Sequence, residues 1–185
     1  AWMYQEMLFD VRPDIVLEIG NKYGGSTLFL AGMCELIGHG QVLAVDWDHK
    51  QFQAKHDRIE LITGDCSDPA IVAAVHDRCR GKKVLVIHDA IHSKEGKLRD
   101  LRLYSDLVSP GSYFVVEDSL AGLPGVATGR DTEQAAPLLF QRTDTPLQAI
   151  EEFIAENDDF EIDRSCERYI LSHNYHGFLL RKEEA

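Results

Sequence analysis

The sequence lacks the features that would place it in several protein classes. Its four cysteines, Cys34, Cys66, Cys79 and Cys166, form no C-x-x-C pair. That spacing indicates neither a zinc site nor a disulfide framework, and a reducing cytoplasm is the expected setting. No apolar run approaches the length that spans a bilayer, and the first residues carry charge without a signal-peptide pattern. There is no basic run either: 19 Lys+Arg stand against 31 Asp+Glu, a formal charge of -12, so steering of a polyanion is unfavourable and nucleic acid is excluded as a partner. Repeats and low-complexity tracts are missing. What is present is a 185-residue chain, 44% apolar, within the usual size of one domain and able to bury a core.

Short runs rich in Val and Ile recur at 15–20, 41–47, 59–65, 83–89 and 112–118. Each is too short for a typical helix and almost continuously apolar, which is how strands covered on both faces of a parallel sheet read. Helices are predicted between them at Ser26–Ile37, Asp68–Cys79 and Lys94–Val108, with at most a short one in Asp48–Arg58. The alternation predicts an α/β fold with a doubly wound sheet. Residues 119–146 hold Gly122, Pro124, Gly125, Gly129, Pro137 and Pro146, with a short helix possible only around Glu133–Phe140. So long a segment after a strand's carboxyl end is expected to be an active-site lid. An amphipathic helix at 146–157 and two closing strands, 160–165 and 177–182, complete a single domain, the strands forming an antiparallel pair at one edge.

In open α/β sheets ligands bind beyond the carboxyl ends of the strands, so each strand's ending is informative. The first ends in Glu18-Ile19-Gly20 and continues through Gly24, Gly25 and Ser26 into a helix. Glycines there let backbone approach a ligand, and the helix N-terminus offers free N–H groups. The G-x-x-x-G-G spacing departs from the dinucleotide G-x-G-x-x-G, which argues against NAD. Asp46 ends the second strand, where a carboxylate can accept from a ribose diol. Asp65, closing the third, is placed to meet an adenine edge.

The fourth and fifth strands end in Asp89 and in Glu117-Asp118. Three carboxylates at one edge repel one another unless a cation lies between them, and all-oxygen ligands suit Mg²⁺. Both residues of the Glu117-Asp118 pair reach one ion only if the strand ends between them. His92, three residues after Asp89, is a candidate general base. His88 is expected to face the neighbouring helix layer. Each feature alone has an ordinary reading: glycine for close packing, a solvated acidic strand end, a surface histidine. Acidic residues at all five successive strand ends favour a site.

The stretches PDIVLEIGNKYGGST, VLAVDWD, HDAIHS, LVSPGSYFVVEDS and YHGFLLRKE resemble a family of S-adenosylmethionine-dependent O-methyltransferases. It includes cephalosporin-hydroxylase-like proteins, rhamnosyl O-methyltransferases and mycinamicin-type macrolide sugar methyltransferases. The resemblance implies a mostly parallel seven-stranded sheet with an antiparallel edge strand. It also implies S-adenosylmethionine and Mg²⁺ as cofactors, a small-molecule hydroxyl acceptor, such as a sugar of a natural product or glycolipid, and a homo-oligomer. It assigns Asp89, Glu117 and Asp118 to the metal, His92 to proton removal with Asp89 beside it, and Glu18, Gly20, Ser26, Asp46 and Asp65 to the cofactor. Where His88 stands the family often has a small residue, and Asn21-Lys22 replaces small or apolar residues. The alternatives are a non-catalytic cofactor-binding domain, an NAD-dependent oxidoreductase and non-haem iron hydroxylation; the last requires two histidines and one carboxylate, which three carboxylates do not supply.

Overall fold

In a computed structural model, residues 1–123, 144–168 and 172–183 are described. Seven strands form one sheet in the order β3-β2-β1-β4-β5-β7-β6. They are β1 (Ile15–Ile19), β2 (Gln41–Asp46), β3 (Ile59–Thr63), β4 (Val84–His88), β5 (Tyr113–Val116), β6 (Phe160–Ile162) and β7 (Phe178–Arg181). The helices are α1 (Trp2–Val11), α2 (Gly25–Ile37), α3 (Pro69–Cys79), α4 (Lys94–Tyr104) and α5 (Pro146–Glu156). β1 to β5 are mutually parallel, whereas β7 runs antiparallel to both β5 and β6. The expected edge pair therefore forms, but its reversed strand lies inside the edge, inserted between β5 and β6.

The near-continuous apolarity of the central strands has its cause in two covered faces. Ile15, Leu17, Ile19, Val84, Val86, Phe114 and Val116 meet Leu98, Leu101 and Tyr104 of α4 and Ile150 and Phe153 of α5. The alternate positions Val16, Val42, Leu85, Ile87 and Val115 meet Met7, Leu8 and Val11 of α1 and Leu30, Ala31 and Cys34 of α2. Period-two alternation thus feeds two cores rather than one core and solvent.

Most predicted helices agree to within a residue, helped by local caps: Asp68 accepts from Ala70 N–H before α3, and Ser93 accepts from Gly96 N–H before α4. Three differences stand out. The helix predicted to reach Val108 ends at Tyr104 and tightens into a 3₁₀ turn over Ser105–Leu107. Asp48–Arg58 contains no helix; Phe52 and Ala54 from this segment lie against Gly24. α1 was not predicted, because its apolar face is read only against the sheet it covers. The expected lid falls mostly on 124–143, including the short helix at Glu133–Phe140, and so lies outside the described residues; its start forms a 3₁₀ turn over Ser119–Gly122.

Strand order reverses between β1 and β4, adjacent and in register from Ile15↔Val84 to Ile19↔His88. Their carboxyl ends flank the crevice where open α/β sheets place ligands.

Candidate active site at the carboxyl ends of the strands

Four strand ends surround a cavity of about 610 Å³, lined among others by Gly20, Ser26, Asp46, Asp65, Asp89 and His92. Gly20 adopts φ 92°, and a Cβ there would lie 2.4 Å from the Asp89 carbonyl oxygen. Glycine is needed because β1 and β4 close on each other at that point, and the Asp89 N–H donates to the Ile19 carbonyl at 2.8 Å. Asp46 has a second function besides facing the cavity. Its Oδ2 accepts from the backbone N–H groups of Asn21 at 2.7 Å and Lys22 at 2.9 Å, so the second strand's acid holds the loop that leads to α2. Asp65 is fixed by Ser67, whose N–H and hydroxyl both donate to Oδ1 at 2.8 Å and hold the carboxyl below its usual range.

Three of the expected cofactor residues are not among the cavity's lining. Glu18 is buried, 2% exposed, and accepts from Thr27 Oγ1 and from Asn21 Nδ2 at 3.0 Å. It clasps the turn and the start of α2 from inside; burial raises its pKa, against the opposing bonds from Ser26, Thr27 and Asn21. Gly24 caps α2 in the left-handed conformation with φ 81°, against the Phe52 ring, and Gly25 opens that helix. Sequence position alone could not separate a glycine that admits a ligand from one that admits a phenyl ring. Lys22, Trp47 and Arg99 also line the cavity, and no strand-end pattern in the sequence marks Trp47 or Arg99; Trp47, 79% exposed at the end of β2, is the one whose exposure is unusual for so large an apolar group.

At the cavity's β4 side, Asp89, His92 and Asp118 each bring one ligand atom within 4.8 Å of the others. His92 Nδ1 lies 3.8 Å from Asp118 Oδ2. β5 ends at Val116, and Asp118 takes a left-handed conformation, φ 60°, uncommon for a residue with a side chain. The strand does not end between Glu117 and Asp118, and the pair is divided. Asp118 joins Asp89 and His92, while Glu117 lies outside that group, with Tyr4 of α1 donating its hydroxyl to the Glu117 carboxylate and Asn174 donating to Tyr4 at 3.2 Å. Burial pushes the Glu117 carboxyl up to about 7. Tyr4 and Asn174 lie 113 and 57 positions from Glu117, and no local sequence signal marks them.

His88 faces the helix layer, as expected, and lies in a fully buried polar chain. His88 Nε2 is 2.9 Å from Asp100 Oδ2, and Lys97 Nζ is 2.7 Å from His88 Nδ1. Asp100 also accepts from Arg99 at 2.8 Å and from the Cys66 thiol at 3.3 Å. Burial alone would raise the Asp100 carboxyl, but the bonds from His88 and Arg99 hold it below its usual range. Cys66, His88 and Asp100 have the spacing of a metal site. The Cys66 thiol, however, is pushed up to about 12 by burial, and Lys97 and Asp100 occupy both His88 nitrogens, so this is a hydrogen-bond network.

Burial, with Lys97 nearby, lowers the His88 pKa to about 4. The unfolded chain therefore takes up a proton near pH 6.5 that the native protein refuses. The contribution, on the order of 3 kcal/mol, is present above pH 6.5 and is lost as pH falls toward 4. Urea unfolding over that window should show a loss in the parent that is reduced in a His88→Gln variant; parallel profiles would reject the assignment.

A profile of the family described as Rhamnosyl O-methyltransferase/CmcI matches residues 1–182. The rhamnosyl O-methyltransferase of Mycobacterium leprae is 33% identical over 189 residues, covering 98% of this chain and 77% of the relative. A structure of CmcI with Mg and SAM superposes with a TM-score of 0.69 at 24% identity, covering 97% of this chain and 69% of that one. MycE, a methyltransferase of the mycinamycin biosynthetic pathway in complex with Mg and SAH, superposes at 0.60 with 20% identity, covering 97% and 48%. These two likenesses establish the fold, and the profile match together with the mycobacterial relative establishes that the chain belongs to the rhamnosyl O-methyltransferase/CmcI family.

Proposed function

We propose that this chain is an S-adenosylmethionine- and Mg²⁺-dependent O-methyltransferase acting on a sugar hydroxyl. The observation that carries the reading is the cavity at the β1/β4 switch point, with acids at the ends of β2 and β3, adjoining the Asp89–His92–Asp118 group. Names among its relatives point to sugars, and a glycolipid or natural-product sugar is the acceptor class assigned. When bound, the cofactor supplies an electrophilic methyl group and the ion supplies positive charge beside the acceptor oxygen.

The residues present suit both groups. Asp46 would accept from the ribose diol with the oxygen not engaged by the loop, and Asp65 would face the adenine edge, with Trp47 lining the same cavity. Gly20 and Ser26 would carry the backbone that approaches its amino-acid end. Asp89 and Asp118 offer the hard oxygen ligands that Mg²⁺ requires, whereas Glu117, expected as the third, would have to give up its bond from Tyr4 to reach the same ion. His92 takes the proton of the acceptor hydroxyl, and the Asp118 carboxylate beside Nδ1 stabilises the imidazolium that forms. Proximity and fixed charge supply most of the acceleration. The protein is assigned to the cytoplasm and to a homo-oligomer; the exposed Trp2, Phe9 and Leu36 on α1 and α2 favour the latter.

Cofactor identity is tested by thermal unfolding. S-adenosylhomocysteine at about 100 times its Kd should stabilise the protein by about 2.7 kcal/mol, a rise in Tm of roughly 5–10 °C, while NAD leaves it unchanged. A rise with NAD alone would overturn the reading in favour of an oxidoreductase.

A further inference from the structure

Lys97 is 0% exposed, in a class of side chain almost never fully buried without a compensating purpose. Its ammonium lies 2.7 Å from His88 Nδ1 and donates to the His88 carbonyl oxygen at 3.2 Å. The same carbonyl accepts from the Glu117 N–H at 3.1 Å, and the peptide it belongs to continues directly into Asp89. The ammonium therefore sits at the junction of the two strand ends that carry Asp89 and Asp118. Burial lowers its pKa to about 8, opposed by attraction to Asp89, Asp100 and Asp118, and at neutral pH it remains mostly charged.

Two carboxylates held close together repel, and a divalent ion between them removes that repulsion only while it is bound. A fixed positive charge behind them acts continuously. We infer that Lys97 is the internal counter-cation of the Asp89–Asp118 pair: it keeps the two strand ends together without the ion, and its charge lowers the pair's affinity for the ion. The inference rests on the metal site proposed above. Lys97 touches none of the reacting groups, and its action passes through the His88 peptide and through its field. The two effects have opposite signs in a binding experiment. A lysine that merely braced the fold would, on removal, loosen the site and weaken the ion; a counter-cation, on removal, strengthens it, because an ion of charge two feels twice the repulsion of a single charge in this partly desolvated setting.

The test is Mn²⁺ binding to the full chain with S-adenosylhomocysteine present, followed by loss of the free-ion electron paramagnetic resonance signal. Lys97→Met should bind Mn²⁺ at least about ten-fold more tightly than the parent, with S-adenosylhomocysteine affinity unchanged. Asp89→Asn, in either background, should weaken that binding by about 100-fold or more and so locates the ion. The single variant leaves His88 Nδ1 buried without its donor, so a His88→Leu, Lys97→Met double variant removes both partners together. The same tightening is expected of it. Equal or weaker Mn²⁺ binding in a folded variant would overturn the counter-cation role and leave the metal site standing. Failure of the parent to bind Mn²⁺ through Asp89 would overturn the metal site and this inference with it. Failure of both variants to fold would assign the pair to holding the core and also overturn it.

Discussion

His92→Ala is expected to lower methyl transfer by about 10²- to 10⁴-fold while S-adenosylmethionine affinity stays within about two-fold. The magnitude is that of a positioned general base, and the separation of the two readouts follows from where the residue sits. His92 lies in the turn between β4 and α4, outside both hydrophobic cores, with its side chain 32% exposed, so its loss leaves the sheet and the helix layers intact. The cavity's β1, β2 and β3 walls, with Asp46 and Asp65, are independent of it. Single-turnover transfer to a sugar acceptor, together with a cofactor titration, gives both numbers. An undiminished rate would remove His92 from the mechanism, and the absence of any transfer in the parent would favour the non-catalytic binding domain.

Asp118→Asn should weaken Mg²⁺ by about 100-fold or more, since a hard divalent ion discriminates strongly between a carboxylate and a neutral amide, and Asp89→Asn should do the same. The choice of asparagine matters at position 118. Its backbone is left-handed, φ 60°, a conformation asparagine tolerates better than most residues, so the variant changes charge with little added strain. Alanine would confound the two. Calorimetric titration with Mg²⁺ in the presence of S-adenosylhomocysteine measures the effect, and ion affinity unchanged in both variants would place the metal elsewhere. Glu117→Gln provides an informative comparison. Its carboxyl is already engaged by Tyr4, and a loss as large as that at Asp118 would mean that it leaves Tyr4 for the ion.

Much of this architecture could be read locally. A strand covered on both faces must be apolar at almost every position, and Val84 to Ile87 and Ile15 to Leu17 are so because helices lie on either side. Asp68 and Ser93 mark helix starts by a bond to a backbone N–H two or three residues on. The acids at 46, 65 and 89 stand at strand ends, and in a parallel sheet all such ends share one edge, so their convergence needed only the strand assignment. The His92 position followed for the same reason, three residues beyond Asp89 in a turn.

Glu18, Gly24, Gly25 and Glu117 show where that reading ended. Glu18 is a strand-end acid by sequence, yet its side chain points inward to Thr27 and Asn21. Gly24 looked like a ligand-approach glycine and instead makes room for Phe52, a residue whose segment had no readable structure of its own. Glu117 and Asp118 are neighbours in the chain, but a single left-handed residue sends one carboxylate toward His92 and leaves the other with Tyr4, at the opposite end of the sequence. The burial of Lys97 was equally hidden, since on a helical wheel it is one more charge between apolar positions.

By itself, then, the sequence determined the parallel sheet, its carboxyl-end ring of acids and the family, because hydrophobic period, caps and turns are set by residues a few positions apart. Only the tertiary structure decided which acids face the cavity and which face the protein, that Lys97 is sealed behind the site, and that α1 supplies Tyr4. Those outcomes depend on side chains distant in sequence meeting at one place, where packing and desolvation act between elements that carry no local record of each other.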